Sequence, residues 1–349
     1  MRIKIKKSIL SSKKYNKKIL NAFKRKIKRI NKIKNKIVVP QKSKNQLFKP
    51  SKKIIKFHNI LNFPQDINHL INYLSDIKKY KQSYILQINH RNMQEIDNVS
   101  ILLLTAGLDK IFDNKNLIKN KKISPKNTQI DERLSAIGYW EALCLNSMLP
   151  KKDLNYLKIK NHNSEIMDNK LHADILDFFI QHYSVLKNYE EELFDAIYEA
   201  IANIQEHAYT DKKKKLWFLG AYNKQNFELE FLIYDTGIGI FQSLNSSNTL
   251  FTKVLQRYIK MFGSDKTLKK LCTTNLTRYK KNEGRGLGMQ IYKNFIDKIN
   301  KSDNEIEANL EVVTDNLIYS TDIDRTILLK KSIDGTLIRW IIKGVKNDY

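Results

Sequence analysis

The sequence predicts an α/β protein in three parts. A basic, partly helical segment covers residues 1–56, a small α/β domain covers 57–150, and a two-layer α/β sandwich covers 151–349. Three observations predict it. The first 56 positions hold 22 Lys or Arg and no Asp or Glu. Beyond them, apolar residues at helical spacing take turns with short strand-like runs, the pattern of helices laid on a sheet. Finally, six of the 11 glycines (Gly237, Gly239, Gly284, Gly286, Gly288 and Gly335) gather in short motifs between these patterns.

The net charge of +27 belongs almost wholly to the first part, because the rest of the chain carries 41 basic against 36 acidic residues. Abundant Lys, Ile and Asn would follow from codon bias, but that does not explain 56 residues without an acid. Ile19, Phe23, Ile27, Ile30 and Ile33 recur at steps of three and four, with Lys24, Arg25, Lys26, Lys28, Arg29 and Lys32 between them. This spacing predicts a basic amphipathic helix. Such a helix suits nucleic-acid phosphates, an acidic protein partner, an anionic membrane surface or a solvated tail. No run approaches the roughly 18 apolar residues of a membrane span. No secretory signal is expected, and Cys144 and Cys272 lack metal-ligand spacing, so reduced thiols and a cytoplasmic setting are expected.

In the second part, Tyr84–Asn89 has strand character. An apolar helix follows from Asp97 or Asn98 through Leu108, then a loop around Pro125, and then a second helix through Arg133 to Ile137, ended by Gly138. Strand, helix, loop and helix in this order resemble the STAS-like (anti-sigma-antagonist) module. The phosphoacceptor of that family is a serine at a helix start, and Ser100 stands nearby; an ordinary helix-start role is the expectation.

The third part has no proline from Ser164 onward and carries the chemistry. Residues 191–208 predict a helix with an apolar stripe of Leu193, Ile197, Ile201, Ile204 and Ala208. Glu199 and Asn203, four apart, share another face. Phe227–Tyr234 alternates as a strand and runs into Asp235-Thr236-Gly237-Ile238-Gly239-Ile240, a carboxylate at a strand end before a tight turn. A calcium loop would need further acids that are missing here. Gly284-Arg285-Gly286-Leu287-Gly288 opens onto a helix with apolar Met289, Tyr292, Phe295, Ile296 and Ile299. Amide N–H groups at a helix start form a phosphate cradle. A dinucleotide fold fits poorly, since no first strand precedes these glycines. Gly335-Thr336 opens a last alternating strand.

In this order the four motifs resemble those of the GHKL superfamily (gyrase, heat-shock chaperone, histidine kinase, MutL), whose ATP-binding domain has the Bergerat fold. The resemblance covers roughly residues 165–349. It implies that Asn203 ligates Mg²⁺ through its carbonyl oxygen and that Glu199 is the catalytic residue orienting the attacking water. Asp235 would accept from the adenine amino group in a turn shaped by Gly237, Gly239 and Ile240, supported by Thr336. Gly284, Arg285, Gly286, Leu287 and Gly288 would hold phosphates. One departure is Glu206, where many members carry a basic residue. The residues between Ile240 and Gly284 occupy the place of the ATP lid, with Lys266, Lys269, Lys270, Arg278, Lys280 and Lys281 near its end.

The expected function is Mg-ATP binding with slow hydrolysis as a conformational switch in a regulatory or bacterial defence system. A serine/threonine kinase of the anti-sigma type and an ATP-gated nucleic-acid-binding regulator are the alternatives. His162, His172 and His182 lack the context of a phosphoacceptor histidine, and His207 reads as a packing or surface residue. A homodimer would suit the superfamily.

Overall fold

Strands in the C-terminal part are apolar at consecutive positions, so both faces of their sheet must be covered. The computed structural model describes residues 51–57, 59–79, 84–115, 118–119, 123–145, 153–162, 169–207, 215–246, 250–274 and 288–344. The basic helix expected within 19–33 lies outside them. All the described residues belong to one compact unit, Pro50–Tyr349.

The small unit begins with strand β1 (Ser51–Lys56). It pairs in parallel with β3 (Tyr84–Asn89), and β3 pairs in parallel with β5 (Ile118–Lys119). Parallel neighbours need long crossovers, and helices α1 (Ile67–Lys78) and α2 (Asn98–Lys115) lie within them. β1 therefore belongs to this sheet, although its lysines are counted in the basic segment. A two-residue parallel pair, β2 (Ile60–Leu61) with β4 (Glu95–Ile96), sits beside it. Asp97 caps α2, its Oδ1 accepting from Ser100 N at 2.6 Å. Asn127 caps α3 (Thr128–Ala136) in the same way through Gln129 N. Gly138 ends α3 with φ 84° and leads into the short helix α4 (Tyr139–Ala142). Ser100 is only 2% exposed, so its hydroxyl is enclosed in the core where α2 starts.

The large sheet has seven strands, all antiparallel, in the order β11-β10-β9-β12-β8-β7-β6. They are β6 (Tyr156–His162), β7 (Leu216–Asn223), β8 (Glu228–Asp235), β9 (Ile306–Thr314), β10 (Leu317–Ser320), β11 (Arg325–Leu328) and β12 (Thr336–Gly344). One face presents Phe218, Phe231, Ile233, Leu310, Val312 and Trp340 to α5 (Asn169–His182), α6 (Glu190–His207) and α9 (Gly288–Ser302). The other presents Trp217, Leu219, Leu232, Tyr234, Val313 and Leu337 to the small unit, chiefly α2. Each fully buried large apolar side chain in these layers contributes about 1.5–3 kcal/mol.

The C-terminal part is thus a mixed α/β structure with an antiparallel seven-stranded sheet, helices covering one of its faces and the upstream unit the other. The upstream unit is its third layer. The reason is visible in the side chains: α2 is buried nearly all round from Val99 to Leu108, and such a helix needs cover on every side. Among the described residues no helix is long and apolar enough to cross a membrane. Cys144 is exposed and Cys272 buried, and neither is in a disulfide.

Candidate nucleotide site

The site grows from the end of β8. Alternation along β8 turns Tyr234 toward the small unit and leaves Asp235 on the helix-covered side. Asp235 is 1% exposed. Its Oδ1 accepts from Gly237 N at 2.7 Å and its Oδ2 from Thr336 N at 3.1 Å. Two motifs a hundred residues apart therefore meet on one carboxyl group. Burial pushes that carboxyl up to about 7, against the opposing pull of the Gly237 and Thr336 N–H groups and the Lys110 ammonium.

Behind the turn stands Thr314, the last residue of β9. Its hydroxyl oxygen accepts from Ile240 N at 3.0 Å, fixing the start of helix α7 (Ile240–Ser246). Gly239 adopts φ 76° beside it, where an added Cβ would come within 3.1 Å of the Thr314 hydroxyl. The glycine is thus needed both for its backbone angle and for its lack of bulk.

Glu199 and Asn203 lie on α6, both half-buried. The Asn203 Nδ2 donates to Glu199 Oε1 at 3.3 Å and to the Tyr292 hydroxyl at 2.9 Å. With both amide hydrogens so directed, the carbonyl oxygen is the Asn203 atom suited to a hard cation. Tyr292 is fully buried on α9, one turn beyond Gly288. Burial, with the Glu199 and Asp235 carboxylates adding to it, holds its phenol well above the ordinary value. Asn203 thus links Glu199 to Tyr292, whose phenol also feels the Asp235 carboxylate.

Among the described residues no group of three or more His, Cys, Asp or Glu side chains could hold a metal ion. Mg²⁺ needs only one or two protein oxygens, completing its octahedron with phosphate oxygens and water, and the Asn203 carbonyl oxygen is a donor of that kind.

Gly288 begins α9, while Gly284, Arg285, Gly286 and Leu287 lie outside the described residues, as do Arg278, Lys280 and Lys281. In the stretch expected to be the lid, α8 (Leu250–Thr273) packs against α9, β10 and β11 and is kinked at Gly263. Lys269 bonds the Asp324 carboxylate at 2.6 Å, and Lys270 lies 4.1 Å over the Tyr258 ring. His172 is buried and stacks on Phe194, and burial lowers its pKa. His182 bonds the Leu154 carbonyl at 3.0 Å.

Sequence reasoning missed three participants. Tyr292 was read only as part of an apolar stripe; its place one turn after the last glycine was the available signal. Thr314 and Lys110 had no local signal, because each acts on a loop distant in sequence. No protein-family model matches the chain, and no curated protein matches it either.

Proposed function

We propose that residues 165–349 bind Mg-ATP in the manner of a GHKL domain of Bergerat fold, and that hydrolysis is slow and serves as a conformational switch. One observation carries this reading: the Gly237 and Thr336 amides clamp the buried Asp235 carboxyl, and the Tyr292 phenol that takes the Asn203 amide also feels that carboxylate. A buried carboxyl held by two backbone donors keeps further lone pairs for a third donor. The exocyclic amine of adenine is such a donor. Asn203 would offer its carbonyl oxygen to Mg²⁺, and Glu199 on the same face would orient water at the terminal phosphate. The N-terminus of α9 would face the phosphates with its amides. Sheet order and the helices on one face are compatible with that fold.

The basic segment, with its 22 cations in 56 residues, suits a nucleic acid partner, which would couple binding to the switch. The experiment is incubation of the full chain with γ-labelled ATP and Mg²⁺, with and without nucleic acid. Released phosphate is expected. Label transferred to protein would replace the switch by a kinase, and absence of ATP binding would sink the reading.

A further inference from the structure

The nucleotide motifs are gripped from behind by a residue that belongs to none of them. Lys110 lies on α2 of the upstream unit. Its ammonium donates to the Thr236 carbonyl at 2.8 Å and to the Asp334 carboxylate at 3.1 Å. Thr236 directly follows Asp235, and Asp334 directly precedes Gly335-Thr336. One cation therefore ties together the two turns whose amides hold Asp235. Asp334 is fixed further by Lys78 of α1 at 3.4 Å and by Tyr234, whose hydroxyl donates to the Asp334 carbonyl at 2.7 Å.

The ionic link alone would be worth little, because Asp334 is half exposed and Lys110 about a third. Its hydrogen bond to a backbone carbonyl in a buried turn is different in kind. Thr236 is 6% exposed, so the contact sets where the turn lies rather than adding general stability.

Resting on the ATP reading above, we propose that Lys110 is a positioning residue for adenine recognition. It shapes the Asp235 turn from the opposite face of the sheet, so that the upstream unit completes the nucleotide site. The same contact also makes the site responsive to that unit. Any movement of α2 away from the sheet would release both turns together.

Electrostatics give the idea an independent handle. The charged and titratable groups that face the Asp235 turn are Lys110 from α2, Asp334 with its partner Lys78 from α1, and Asp315 beyond β9, while Tyr292 of α9 feels the carboxylate. With the Gly237 and Thr336 amides, the Lys110 ammonium opposes the rise that burial imposes on Asp235. Its removal should therefore raise the Asp235 carboxyl further, whether or not nucleotide is present.

The test uses the full chain with Lys110→Met, Lys110→Arg and Lys110→Gln. Asp235 titration is followed by the carboxyl ¹³C signal of labelled aspartate, assigned with Asp235→Asn, and ATP affinity is measured by titration calorimetry. Lys110→Met is expected to move the Asp235 midpoint upward and to weaken ATP binding several-fold at neutral pH. Lys110→Arg should restore the midpoint. Lys110→Gln keeps a donor for Thr236 without charge; it should retain part of the affinity while the midpoint stays raised, and it carries the test if Lys110→Met does not fold. An unmoved midpoint, or unchanged affinity in Lys110→Met, would overturn the proposal. Failure of the parent chain to bind ATP would instead overturn the nucleotide reading on which it rests, and the titration separates the two failures.

Discussion

Gly335 lies directly against Asp235. A Cβ built at Gly335 would overlap the Asp235 backbone oxygen and stand 2.6 Å from its carboxyl oxygen. The residue also has φ 77°, a region costly for any residue with a side chain. Gly335→Ala should therefore displace the Thr336 amide from the carboxylate. A loss of about 1–3 kcal/mol is expected in urea unfolding, together with weakened ATP binding. Unchanged affinity would disconnect this turn from the ligand.

Asp235→Asn removes the ionised acceptor while keeping the shape. A hydrogen bond to a charged group contributes about 1.5–3 kcal/mol, so ATP affinity should fall by about ten- to a hundredfold. Because burial pushes the parent carboxyl up to about 7, ATP binding by the parent should tighten as pH rises through that value. Calorimetric titrations from pH 6 to 8 check this, and a flat profile in the parent would show that Asp235 is not the acceptor.

Two buried groups pull the folding equilibrium in opposite directions. Asp235 is raised from 3.8 to about 7, so its contribution is present below 3.8 and lost as pH rises toward 7. His90, wholly buried, is lowered by burial from 6.5 to about 3. Its contribution is present above 6.5 and lost as pH falls toward 3. In the shared window each slope reaches at most about 1.4 kcal/mol per pH unit, and they oppose. Asp235→Asn removes the carboxyl's opposing slope and leaves that of His90 in place. Its stability should therefore fall more steeply than the parent's on acidification from pH 6.5 to 4, measured by denaturant unfolding. Parallel curves would mean that Asp235 titrates near its ordinary value.

Asn203 and Glu199 are one helical turn apart and share a hydrogen bond, yet the proposed mechanism gives them separable roles. Asn203→Ala should abolish the Mg²⁺-dependent part of ATP binding, a loss of about tenfold or more. Glu199→Ala should spare binding and stop phosphate release. Turnover that persists in Glu199→Ala would remove this residue as the base.

Deletion of the basic segment must respect β1. Removing residues 1–50 leaves Ser51–Lys56 paired with Tyr84–Asn89, whereas a cut at 56 would strip an edge strand from the small sheet. The shorter deletion should preserve ATP binding and abolish salt-sensitive nucleic-acid binding. Equal nucleic-acid affinity with and without the segment would show that the cations there serve another partner.

The sequence alone determined the local elements. Periodicity placed the helix bearing Glu199 and Asn203 and the strand ending at Asp235. Glycine placement marked the turns at Gly239 and Gly335, because a positive φ or a close approach leaves few other choices. Capping chemistry at Asp97 and the stop at Gly138 were legible for the same reason: each depends on residues within a few positions. Tertiary structure alone decided that the upstream unit covers the second face of the large sheet. It also decided that Thr314 holds the Ile240 amide, that Tyr292 gathers Asn203, and that Lys110 grips Thr236. These contacts join residues far apart in the chain. No local rule encodes them; they arise because a sheet apolar on both faces must be covered on both, and the covering helix carries Lys110 to the turns that hold Asp235.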